Sequence, residues 1–445
     1  MPSSLTIQLT NQTNSHNVYA FITGLAIQHN MARVFLKPDG RDLYYPESPP
    51  PGQILQPLTQ DCAILLGSPG NTVTVTIPQM AGGRIWFSAE KRLTFLRNPG
   101  GPGGGAALVE PSVLNPSDPN ADIDFSFCEF TLNNDQLFAN ISYVDFVPCL
   151  PVALTLQIKG GAVQHVSGMA LDGLERVCAG LKEQTARDGR PWDKLVVTPQ
   201  GQDRPLRVLS PTHGNAVGAS FDGYFEPLVE AAWKKYSASQ QPPPPQPSQQ
   251  QQQHPEAPKE HLHSRLRLSL FRRKPVPNPP PQPTPPQPQQ QQPPQTQNTL
   301  YINTQSAPGI LTGQVPPASA SLLIGPEPFA RPSTADILSC NSGPFTTGPS
   351  PIRNAIIPRL AAAFQRGCIC ATAEHPSAPE YFYAMTGPAN HYARVVHGCN
   401  LDGKGYAFAY DDVQPDGGRD ESGKVEAGEP EVLVVAVGGG GAYVR

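Results

Sequence analysis

The stretch FSFCEFTLNNDQLFANISYVDFVPCLPVALTL, Phe125 to Leu156, decides how the chain reads. In an extended strand, successive side chains point to opposite faces. Glu129, Thr131 and Asn133 therefore share one face, with Cys128, Phe130 and Leu132 on the other. An acid, a hydroxyl and an amide backed by apolar residues suit the wall of a sugar-binding cleft, or a solvent-facing strand surface. Asn133-Asn134-Asp135 is a turn signal, because Asn and Asp side chains bond to the backbone two residues on. The chain then returns through Asn140 towards Asp145. Strict alternation puts Asp145 on the apolar face of Ile141 and Tyr143, where an unpaired carboxylate is costly. Either a bulge turns it towards the cleft or it is a paired structural carboxylate. Two carboxylates on neighbouring strands are the equipment of glycoside hydrolysis, one protonating the leaving oxygen and the other activating water or attacking the anomeric carbon.

Outward from this stretch, short alternating strands continue. Ser4 to Leu9, Val73 to Ile77 and Leu154 to Ile158 alternate, with Gly, Pro and Asn clusters at 98–105 and 115–120 between elements. Residues 1–160 thus read as a sandwich or barrel. The period then becomes helical at Leu171, Leu174, Val177, Cys178 and Leu181, stopped by Gly189-Arg190-Pro191. A second helix is expected across Pro227 to Tyr236 and a third after Pro358, with Leu360 and Phe364 buried. Residues 161–240 and 298–387 read as mixed α and β. The tail, 388–445, returns to strands at Tyr406 to Tyr410 and Glu431 to Val437.

Residues 241–297 are crowded with Pro and Gln. Proline favours extended polyproline II, and glutamine contributes little burial to offset chain entropy, so this insert reads as disordered. Its basic island, Arg265 to Lys274, fits either a docked protein partner or a solubilising patch. The insert holds six basic residues against two acidic ones, which leaves −8 for the remainder of a chain whose net charge is −4. An acidic body argues against nucleic acid and suits a neutral polysaccharide. No apolar run reaches the roughly 18–20 residues of a spanning helix, so no membrane insertion is expected. Met1 to Thr13 lacks the basic start and apolar stretch of a signal peptide. The eight cysteines read equally as buried thiols or a few bridges, and His391 and His397 have no companions at metal-ligand spacing.

Glu-Phe-Thr-Leu followed by Asn-Ile-Ser-Tyr-Val-Asp resembles the core of thaumatin-like proteins, as does Gly405-Tyr-Ala-Phe-Ala-Tyr-Asp-Asp412. Glycoside hydrolase family 64, the thaumatin-like β-1,3-glucanases, is the nearer resemblance. It is carried by Leu108 to Asn120, Phe127-Cys-Glu-Phe-Thr131, Asp336 to Phe345, Ile357 to Phe364 and Asn390-His-Tyr-Ala-Arg394. The resemblance implies a mainly β fold: a thaumatin-like β-barrel domain, 1–160 with 388–445, beside the mixed α/β domain across a wide cleft. It implies internal, inverting hydrolysis of β-1,3-glucan without metal or organic cofactor, by a general acid at Glu129 and a general base at Asp145. Thr131 and Asn133 fall where the family contacts sugar; Arg84 and Asp411 resemble cleft residues of thaumatin-like proteins, with structural pairing the alternative for each. Phe138 stands where some relatives carry an indole. A monomer is expected, and an extracellular location follows from the resemblance alone.

Overall fold

The computed structural model describes residues 3–101, 105–238, 300–303, 311–314, 327–372, 374–384, 387–415, 418 and 420–439. The expected disordered insert, 241–297, lies outside the described residues. Two large sheets dominate. The first has five strands in the order Val163–Val166, Val152–Ile158, Pro430–Val437, Ser4–Asn11 and Thr72–Pro78. Near the C-terminus, Pro430–Val437 enters this sheet parallel to Ser4–Asn11 and antiparallel to Val152–Ile158, which ties the two ends of the described chain together.

The second sheet has eight strands. Its path runs Lys424–Ala427, Leu137–Ile141, Phe125–Leu132, Met80–Ala89, Val18–Ala26, Ala32–Leu36 and Leu43–Tyr44, with Ile64–Leu65 also paired to Val18–Ala26. Inward residues of both sheets, among them Leu5, Ile7, Ile77, Ile85, Phe130, Leu132, Leu154 and Val435, meet in one core that continues into the helices. Each such side chain, fully buried, contributes about 1.5–3 kcal/mol of transfer free energy.

Three smaller sheets and several helices make up the remainder. Gly173–Asp188 buries Leu174, Val177, Leu181 and Gln184 along one stripe, and ends at Gly189, whose φ of 70° is the left-handed geometry of a glycine stop. Leu171 precedes the helix and is exposed. Glu226–Ala238 is the second expected helix. His391–Cys399 packs on Gly173–Asp188, with Gly180 lying against Val395, so a helix precedes the expected strands of the tail. Among the described residues, no helix is long and apolar enough to cross a membrane. All eight cysteines are free.

Two local expectations fail. The helix expected after Pro358 begins at Pro351 instead, where Ser350 caps it by accepting from the Arg353 N–H, and Pro358 sits inside it. Tyr406 to Tyr410 is not a strand. Only Tyr406 bridges, to Ser142, and the following backbone folds into a turn as the Asp411 carboxylate accepts the Ala407 N–H at 2.9 Å.

Candidate active site

Glu129 sits mid-strand in Phe125–Leu132, between Arg84 on one neighbour and Asn140 on the other. The even residues Cys128, Phe130 and Leu132 point into the core. Glu129, Thr131 and Asn133 are partly exposed on the outer face. Further back along that face, Phe125 and Phe127 join Trp86, Phe95 and Phe146 in a second apolar cluster. The Arg84 guanidinium lies 4.9 Å from the Phe127 ring centroid and 5.5 Å from that of Trp86. Such cation–π contacts are worth about 0.5–2 kcal/mol and fix the guanidinium on its aromatic bed.

From that bed Arg84 serves two acids. Its Nη1 donates to Glu110 Oε2 at 2.7 Å, while Nε and Nη2 donate to the single oxygen Glu129 Oε1 at 3.3 and 3.2 Å. Burial pushes the Glu129 carboxyl above its ordinary value against the pull of Arg84, and the Asp145 charge adds to the rise.

Asp145 reaches the same region by a change of sheet. The strand Leu137–Ile141 ends, Ile141 and Tyr143 stay buried, and the backbone bends at Val144 and Asp145. Phe146–Pro148 then pairs with Arg207–Leu209 instead. The bend breaks the alternation that would have buried Asp145, whose side chain is 45% exposed against 17% for Glu129. Behind it, the Ser210 N–H donates to the Asp145 carbonyl, and the 3-10 helix Pro211–Val217 brings His213 Nε2 to 3.0 Å from Asp145 Oδ1. Burial would raise the Asp145 carboxyl, but His213 and then Arg84 outweigh it and hold it below the ordinary value. Arg84 feels the negative charge of Glu110, Glu129 and Asp145 together. One acid is thus biased to keep a proton and the other to lose it.

The Glyco_hydro_64 family, described as Beta-1,3-glucanase, matches residues 3–251 and 295–437. The chain belongs to glycoside hydrolase family 64. Two curated relatives, each named glucan endo-1,3-beta-glucosidase, align over 165 residues: one from Cellulosimicrobium cellulans at 32% identity, one from Arthrobacter sp. (strain YCWD3) at 31%. In each case the match covers 37% of this chain and 28% of the relative's length. A crystal structure of a laminaripentaose-producing beta-1,3-glucanase in complex with laminaritetraose has the same fold. It has a TM-score of 0.70 at 22% identity, over 98% of this chain and 99% of that one. A beta-1,3-glucanase domain from Clostridium beijerinckii gives 0.63 at 18% identity, over 98% of each chain.

Within this family 64 chain, Glu129 and Asp145 lie within the reach of Arg84, and Thr131 follows Glu129 two residues on along the same strand face, but Asp411 does not join them. It is fully buried, and its carboxylate takes Arg366 Nη2 at 3.2 Å, His397 Nε2 at 3.0 Å and the Ala407 N–H. The expectation that Asp411 touches sugar is therefore corrected: an acid sealed behind Arg366 and His397 offers no oxygen to a ligand. Its neighbour Asp412 is partly exposed and interacts with Lys424, beside the Phe138 ring. Asn133 spends its side-chain oxygen on the hairpin turn, accepting from the Asp135 and Gln136 N–H groups.

His213 and Glu110 are the residues that sequence reasoning missed. His213 is 68 residues from its partner, and nothing in the local pattern around it marks a site. Glu110 stands inside a stretch that carries the family resemblance, yet no period links it to Arg84, 26 residues earlier.

Proposed function

We propose that the chain hydrolyses β-1,3-glucan at internal bonds with inversion, Glu129 acting as general acid and Asp145 as general base. The Glu129 proton goes to the glycosidic oxygen as the bond from that oxygen to the anomeric carbon breaks. Water attacks the carbon from the opposite face and passes its proton to Asp145. Inversion needs the carboxyl groups roughly 6.5–9.5 Å apart, leaving room for that water. Arg84, fixed on Trp86 and Phe127, balances the negative charge of the pair.

The observation that carries the reading is the different setting of the two acids: Glu129 is 17% exposed and bonded by Arg84, whereas Asp145 is 45% exposed and lies 3.0 Å from His213 Nε2. Burial lifts Glu129, while His213 and Arg84 depress Asp145. Family membership and the names of the two curated relatives support the bond cleaved. The laminarioligosaccharide held by the structural neighbour supports a glucan ligand. The reading includes a thaumatin-like barrel beside a mixed α/β domain, a glucan cleft between them edged by Thr131 and Asn133, and a monomer. Nucleic acid is not a partner in this reading, and a protein partner for the 241–297 insert remains part of it.

The test is release of reducing ends from laminarin by the protein and by Glu129→Gln and Asp145→Asn. The intact protein releases them and both variants bind laminarin without doing so. Binding by all three with no release from any would make the chain a glucan-binding protein instead.

A further inference from the structure

Glu129 carries a contradiction if it is to act as an acid. A carboxyl that receives two N–H bonds from an arginine is held ionised, and an ionised group has no proton to give. The geometry of Arg84 resolves this. Its shortest contact, 2.7 Å, goes to Glu110, while both contacts to Glu129 are longer and converge on one oxygen, Oε1. Glu129 Oε2 takes no bond from the guanidinium, and Asn140, which also bonds to this carboxyl, carries no charge, so a proton can sit on Oε2. Glu110 follows the short strand Ala107–Val109, and its side chain is only 26% exposed, so this contact is sheltered from solvent.

We propose that Glu110 is a positioning residue that engages one edge of the Arg84 guanidinium and thereby leaves Glu129 able to hold the proton it donates. This rests on the acid role of Glu129 given above. Arg84 is anchored from below by Trp86 and Phe127, so it cannot swing away from Glu129. Its charge has to be shared instead, and Glu110 shares it. The other groups around Glu129 do not do this. Asn140, on the adjacent strand, is neutral. Lys424, paired across Asn140, turns to Glu426 at 3.4 Å. Asp145 is engaged by His213.

Removing the Glu110 charge gives Glu129 the whole of Arg84. In Glu110→Gln the alkaline limb of the kcat/KM profile on laminarin, which reports the acid in the free enzyme, moves down by about one pH unit. Above that limb the rate falls about tenfold relative to the unaltered protein. A β-1,3-glucan oligomer bearing a dinitrophenolate leaving group needs no proton from Glu129 to depart, so its hydrolysis falls much less at the same pH. Glu110→Asp, which keeps the charge, restores part of the limb. Circular dichroism melting of each variant confirms that folded protein is compared.

An unmoved alkaline limb in folded Glu110→Gln overturns the proposal, as does an equal loss on both substrates. Failure of the underlying reading looks different: Glu129→Gln would then cleave laminarin as well as the unaltered protein does.

Discussion

Replacing Asp411 with asparagine keeps shape and volume and removes one buried charge. Its carboxylate neutralises Arg366, whose side chain is 2% exposed, lies 3.0 Å from His397 Nε2, and accepts the Ala407 N–H. After the change Arg366 retains the carbonyls of Asp411 and Val413 and the faces of Phe382 and Phe408. Its nearest remaining carboxylate oxygen is Glu421 Oε2, at 3.9 Å. Breaking a buried pair costs about 3–5 kcal/mol, and the residual attraction of Glu421 puts the expectation at the lower edge, about 3 kcal/mol. Against a total stability of about 5–15 kcal/mol this is large, and urea unfolding followed by tryptophan fluorescence measures it. The folded fraction keeps its KM for laminarin, because Asp411 reaches no ligand. Stability unchanged within about 0.5 kcal/mol, a typical surface effect, together with a raised KM, would refute the burial argument and make Asp411 a ligand contact.

Other consequences follow from the same contacts. His213→Asn removes the group that holds Asp145 low, so the acid limb of kcat/KM rises by about one pH unit while the alkaline limb stays; an unmoved acid limb would remove His213 from the base. Burial opposes an imidazolium at His397, but Asp411 and Glu421 outweigh it and raise its folded value. That contribution is complete below the unfolded value near 6.5 and is lost as pH rises through the folded one, so urea midpoints decline on the alkaline side and decline less in His397→Gln. His375 and His391 are pushed down to about 4 by burial, so their contribution is lost as pH falls from about 6.5 towards 4, and acid unfolding in that window takes up close to two protons. Gly83→Ala drives a methyl into the buried Phe130 ring behind Arg84 and lowers stability by about 1–3 kcal/mol on the same assay.

What the sequence disclosed was what local period can carry. The alternation of Ser4 to Leu9 and Val73 to Ile77 gave two strands of the five-stranded sheet, and Leu174, Val177 and Leu181 gave a helix. Asp145 was legible as a conflict, since period two assigned an acid to an apolar face. Its resolution, a bend followed by pairing with Arg207–Leu209, depends on a strand some 60 residues away. Asp411 misled because adjacency in Asp411-Asp412 says nothing about depth. Arg366, just past the end of Pro351–Gln365, and His397, in His391–Cys399, bury it from distant parts of the chain. Pro358 read as a helix start because proline favours the first turn, but the Ser350 cap had already set that start one turn and more upstream. Glu110 and His213 were hidden for a common reason: each acts through a contact made only after the sheets have formed.

In the proposed reaction Glu129 and Asp145 divide acid and base work across a glycosidic bond. An anomer-resolved NMR time course on a β-1,3-glucan oligomer tests it most directly, run on the intact protein and on Glu129→Gln and Asp145→Asn. The α-anomer appears first with the intact protein and neither variant forms product in the same time. First formation of the β-anomer, or unimpaired turnover by either variant, would contradict the account.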